Sequence, residues 1–106
     1  MARFDLYGNP DDQTRRLAPY LLDVQSSHVG ILPTRIVIPL RPTPDLGFSG
    51  KPSDLLPIFE INGEKHFVDT PAMSAITLNA LGSRIGSLAD HRDAILVALD
   101  RIFGAY

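Results

Sequence analysis

The chain has 106 residues, room for a single domain over 1–106. Its 10 Lys and Arg against 12 Asp and Glu leave a formal charge of −2, which excludes a free-standing phosphate binder with a basic field. A 44% hydrophobic and 21% charged mix excludes a disordered chain, and the absence of cysteine excludes disulfides, a thiol nucleophile and thiolate metal sites.

Residues 1–5 carry no apolar run, so no signal peptide is expected, and no stretch approaches the ~20 apolar residues of a membrane span. A cytoplasmic protein is the expectation. The first strand is expected over residues 2–7, with Phe4 and Leu6 on one face and Arg3 and Asp5 on the other. Gly8-Asn9-Pro10-Asp11-Asp12 reads as a loop. A second strand is expected at 20–25 and a third at 35–40, whose β-branched run reads as buried on both faces. Pro39 has no N–H to give a ladder, which predicts an edge or a strand end. Pro42, Pro44, Gly47, Gly50, Pro52 and Pro57 predict a long solvated loop over 41–57, with a short helical turn at 53–56.

Asn62-Gly63 lies between Ile58-Phe59-Glu60-Ile61 and Glu64-Lys65-His66-Phe67-Val68. Asn-Gly supplies the two positive φ values of a type I′ turn, so a hairpin is expected, with Glu60 opposite Lys65. Residues 73–78 read as a further strand. Gly82 to Ser87 reads as a glycine-containing approach to a helix, whose N-terminus has the dipole to receive an anion. Ser87 is the expected N-cap, with Asp90 as its capping-box partner. Leu88, Ile95, Ala98, Leu99 and Ile102 fall on one helical stripe, and Gly104 suits the position after the last turn.

Little in this pattern is catalytic. His28, His66 and His91 have no partners at metal-ligand spacing, so no metal or other cofactor is expected. His66 reads as a packed or partly exposed side chain and His91 as solvated. No nucleophile elbow, P-loop or dinucleotide fingerprint occurs. Asp23 interrupts an apolar strand, so it is either hydrogen-bonded within the fold or facing a partner. Phe103 and Tyr106 flank Gly104-Ala105 past the helix: they are interface anchors, or the tail folds back onto the sheet.

Several segments together resemble the CcdB family of toxins from type II toxin–antitoxin modules. Phe4-Asp5-Leu6-Tyr7 is similar to the family's first strand. Leu22-Asp23-Val24-Gln25-Ser26 resembles its Val-Asp-Val-Gln-Ser stretch, and Arg35-Ile36-Val37-Ile38-Pro39-Leu40 its Arg-x-Val-Ile-Pro-Leu strand. The Met73-Ser74 segment resembles the one before the family's helix. His91-Arg92-Asp93 and Ala98-Leu99-Asp100-Arg101-Ile102-Phe103 are similar to that helix.

The resemblance implies a mainly β fold with one C-terminal α-helix, an SH3-like barrel of the CcdB/MazF toxin type, forming a homodimer. It implies a binding toxin rather than an enzyme, one that traps the cleaved complex of DNA gyrase through the gyrase A subunit and blocks religation. A cognate CcdA-type antitoxin would neutralise it, and operator DNA would be bound only in complex with that antitoxin. The gyrase-contacting positions correspond to Ser26, His28, Val29, Asp100, Phe103, Gly104, Ala105 and Tyr106. Gly104 stands where the best-known form has Trp, His28 where it has an aliphatic residue and Asp100 where it has a neutral amide; the bulky terminal group here is Tyr106. Loops near residues 8–14 and 41–50 would form contact rims. Two other readings accompany this one. A MazF-type endoribonuclease would use Arg35 or Arg41 for acid or oxyanion support. A non-toxic relic would bind only antitoxin.

Overall fold

The β-branched run Ile36-Val37-Ile38 builds the longest strand, and the sheet is arranged around it. A computed structural model describes residues 2–46 and 54–104. Its strands are β1 (Asp5–Gly8), β2 (Tyr20–Asp23), β3 (Thr34–Pro42), β4 (Ile58–Ile61), β5 (Glu64–Val68), β6 (Ser74–Thr77) and β7 (Arg84–Ser87), followed by the helix α1 (Arg92–Phe103). The order in space is β4-β5-β3-β2-β1-β7, with β6 also on β3, and every pair is antiparallel. The sheet curls into a half-barrel with the helix at its C-terminal end, the SH3-like architecture expected from the sequence. No helix among the described residues is long and apolar enough to cross a membrane.

One edge of β3 pairs with β2. The other is shared: residues 34–37 pair with β6 and residues 40–42 with β5. Pro39 therefore does not lie at an edge or a strand end, as its chemistry suggested. It sits inside β3, opposite Leu21, where the shared edge changes partner. Its carbonyl accepts from the Asp69 N–H at 3.0 Å. The donor that proline lacks would point to that same side, so the β2 ladder loses nothing.

The core lies on one face of the sheet. Leu6, Leu22, Ile38 and Leu40 meet Phe59, Ile61 and Val68 of the β4–β5 hairpin and Ile95 and Leu99 of α1. Each such side chain is worth roughly 1.5–3 kcal/mol when fully buried. The hairpin forms as expected: Asn62 and Gly63 take φ values of 53° and 80°, and Glu60 faces Lys65.

Other expectations need correction. The first strand starts at Asp5, because Phe4 has a φ of 73°. Asp5, at the start of that strand, is buried: its carboxylate accepts from the Ala2 N–H at 2.9 Å and pairs with Arg84 at 3.1 Å. Part of the 82–87 segment is β7, paired with β1, not a helix approach. Ser87 ends that strand. Its Oγ accepts from the Ala89 N–H at 3.1 Å and opens a 3-10 turn over Ala89–His91. The Leu88 N–H is still tied to the Phe4 carbonyl at 2.8 Å, so the α-helix starts later, after His91. Of the 41–57 loop, β3 takes residues 41–42 and a 3-10 helix takes Thr43–Leu46. Asp54 and Leu55 form a turn, while Ser53 and the Gly47 to Pro52 part lie outside the described residues.

Candidate functional site

The site grows from one buried ion pair. Arg35 Nε donates to Asp23 Oδ2 at 2.8 Å and Nη2 donates to Oδ1 at 3.0 Å. The side chains are 2% and 0% exposed. Such a pair offsets its desolvation only through good geometry and further hydrogen bonds, and both are present. Asp23 Oδ1 also accepts from the Gln25 N–H at 3.0 Å. Of the two readings of Asp23, the structural one is correct.

Gln25 carries this order outward. Its Oε1 accepts from the Ile36 N–H at 3.1 Å, and its Nε2 donates to the Val29 carbonyl at 2.8 Å. The 3-10 turn Ser27–Val29 is thereby fastened to β3. Ser26 Oγ accepts from the His28 N–H at 3.2 Å and closes the turn. Ser26 is half-buried, His28 is exposed, and Val29 is 40% exposed. Ile31 and Leu32, which follow, are 92% and 46% exposed. Sequence reasoning passed over these two, although apolar residues just before Pro33 in a loop were a usable signal.

The second group of candidates closes α1. Ile95, Ala98 and Leu99 face the core, and Phe103, one turn beyond Leu99 at the helix end, is 70% exposed. Gly104 stops the helix with φ 69° and ψ 41°, and its N–H returns to the Asp100 carbonyl. Asp100 is half-buried. Ala105 and Tyr106 lie outside the described residues. The structure thus gathers Ser26, His28 and Val29 on one turn and Asp100, Phe103 and Gly104 on another. No hydrogen bond among the described residues joins the two groups.

Tyr7 completes the polar interior. Burial pushes its hydroxyl above the usual tyrosine range; Asp5 and Asp23 push the same way, and Arg35 and Arg84 oppose them. His66 is buried, edge-on to Tyr20 at 5.1 Å, with Nδ1 3.0 Å from the Glu64 carbonyl. His91 is exposed as expected, yet it stacks on Phe59 at 4.6 Å. The described residues hold no cluster suited to a metal ion. Arg35 is locked onto Asp23, so it is not placed as the endoribonuclease reading required. Arg41 is half-buried, with Nη1 3.6 Å from the Asp69 carboxylate and its guanidinium 5.7 Å from the Phe67 ring centre.

A family model described as CcdB protein matches residues 3–104. The chain belongs to the CcdB family. No curated protein matches it. A CcdB-family chain is the toxin of a toxin–antitoxin module, and the family's toxins act by binding. The family match spans both candidate turns up to Gly104. It also spans the Asp23-Val24-Gln25-Ser26 stretch, in which Asp23, Gln25 and Ser26 each have a separate structural task here.

Proposed function

We propose that this protein poisons DNA gyrase. As a cytoplasmic homodimer it binds the gyrase A subunit, holds the cleaved-DNA complex and blocks religation. Ser26, His28, Val29, Asp100, Phe103, Gly104, Ala105 and Tyr106 form the contact surface. A cognate CcdA-type antitoxin neutralises it, and the toxin–antitoxin complex binds the operator of its own genes.

The observation that carries this reading is Phe103. It is 70% exposed at the last turn of α1, beside a Gly104 that ends the helix abruptly. A large aromatic group on rigid backbone is the kind of anchor that dominates interface energies. Twofold symmetry of the dimer would offer two such helix ends to a twofold target.

The test is incubation of the purified protein with gyrase, supercoiled plasmid and ATP, followed by detergent and protease. Linear DNA is the expected product, and its loss in Phe103→Ala is the expected control. Intact plasmid with the cognate gyrase, alongside growth arrest on induction, would move the toxin to another target. Intact plasmid without growth arrest would leave a protein that binds only antitoxin.

A further inference from the structure

We propose that Ile31 and Leu32 are further anchors for the gyrase A subunit, entering an uncharged apolar pocket of that subunit beside the place taken by Val29. The two residues extend the contact surface named above, and their role rests on the gyrase reading.

Val29 to Leu32 form a single turn. The Leu32 N–H donates to the Val29 carbonyl at 3.3 Å, which holds the two ends side by side, within about 7 Å as in any β-turn. Val29, Ile31 and Leu32 are 40%, 92% and 46% exposed. Single exposed aliphatic residues are ordinary on a protein surface, but three in one turn make a patch. Ile31 is more open to solvent than Phe103, at 92% against 70%.

The turn is held from behind. Gln25 Nε2 donates to the same Val29 carbonyl at 2.8 Å, and the Leu78 N–H donates to the Pro33 carbonyl at 3.0 Å. A Cβ on Gly30 would lie 3.4 Å from the Ser27 carbonyl oxygen and 3.9 Å from Arg35 Nη1, so Gly30 faces the buried Asp23–Arg35 pair. Apolar side chains on a backbone already ordered lose little freedom on binding, and they suit a preformed pocket in a folded partner. Residues 26–34 contain no Asp, Glu, Lys or Arg, so neither a phosphate backbone nor a charged segment finds a counter-charge on the turn. An uncharged apolar pocket on the gyrase A subunit fits both features.

The test measures linear DNA against toxin concentration, with gyrase, supercoiled plasmid and ATP, for the full-length wild type, Ile31→Ser, Leu32→Ser and Ile31→Leu. Both serine variants should melt like the wild type, because neither side chain is buried. Ile31→Ser should need about tenfold more protein for the same cleavage, and Leu32→Ser about fivefold more, the size expected of interface anchors. Ile31→Leu should recover most of the loss, since it keeps the apolar bulk. Absence of linear DNA with the wild type would overturn the gyrase reading, and the role of the turn with it. Linear DNA from the wild type, matched by either serine variant at the same concentration, would overturn the role of the turn alone. A serine variant that sediments as a smaller species than the wild type would give the turn to a second copy. Unchanged cleavage with weaker antitoxin binding would give it to the antitoxin. Either result also overturns the proposal.

Discussion

Arg35 grips Asp23 across a turn from the neighbouring strand, with two hydrogen bonds of 2.8 and 3.0 Å and neither charge open to solvent. Removing one partner leaves a buried charge alone. Asp23→Asn should lower stability by about 3–5 kcal/mol, whereas the double change Asp23→Leu with Arg35→Met should recover much of that loss. Urea denaturation of the three proteins measures the difference. A double variant no better than the single one would mean that the pair also supplies packing that aliphatic groups cannot replace.

Gln25 transmits that order to the Ser27–Val29 turn through both ends of its amide. Gln25→Ala should cost about 1–3 kcal/mol, because the Ile36 N–H loses its acceptor. Beyond the global loss, amide exchange should quicken selectively in residues 26–30. Uniform acceleration across the chain would place the effect in the core instead.

The raised pKa of Tyr7 makes an alkaline prediction. A group that holds its proton more tightly when folded contributes stability fully below its unfolded value, here the ordinary 10.0. That contribution is lost as pH rises from there through the folded value. The urea midpoint of the wild type should therefore fall as the pH rises beyond 10.0, and the fall should be smaller in Tyr7→Phe. Identical pH profiles would show that another group governs alkaline unfolding.

Phe103 separates stability from binding. An exposed side chain costs within about 0.5 kcal/mol when truncated, so Phe103→Ala should melt like the wild type. Growth arrest on induction should nonetheless be relieved. A variant as toxic as the wild type would remove the helix end from the contact surface.

Much of the fold was legible because local chemistry and tertiary context agree. Asn62-Gly63 suits its turn with or without the rest of the protein, and the stripe Ile95, Ala98 and Leu99 has one face to bury. Reading failed where tertiary bonds override local preference. Gly86 and Ser87 have weak strand propensity, yet β1 supplies them with partners. Ser87 looks like a cap for an α-helix, yet the Phe4 carbonyl delays the start of that helix. Pro39 could be placed mid-strand only by knowing that β3 changes partner beside it. At the site, Asp23 announced itself as a charge in an apolar strand, but nothing local paired it with Arg35. Ser26, His28 and Val29 came from resemblance, since a solvent-exposed turn follows no periodicity.

The chain's beginning is fastened near its end: β7 lies against β1, and the Leu88 N–H meets the Phe4 carbonyl. During synthesis, β1 to β3 leave the ribosome as a meander whose apolar side has no cover. Ile95 and Leu99 arrive only after most of the chain has been made. Interrupted translation therefore leaves an open core for proteases rather than a weakened toxin, and the cell meets the finished surface all at once.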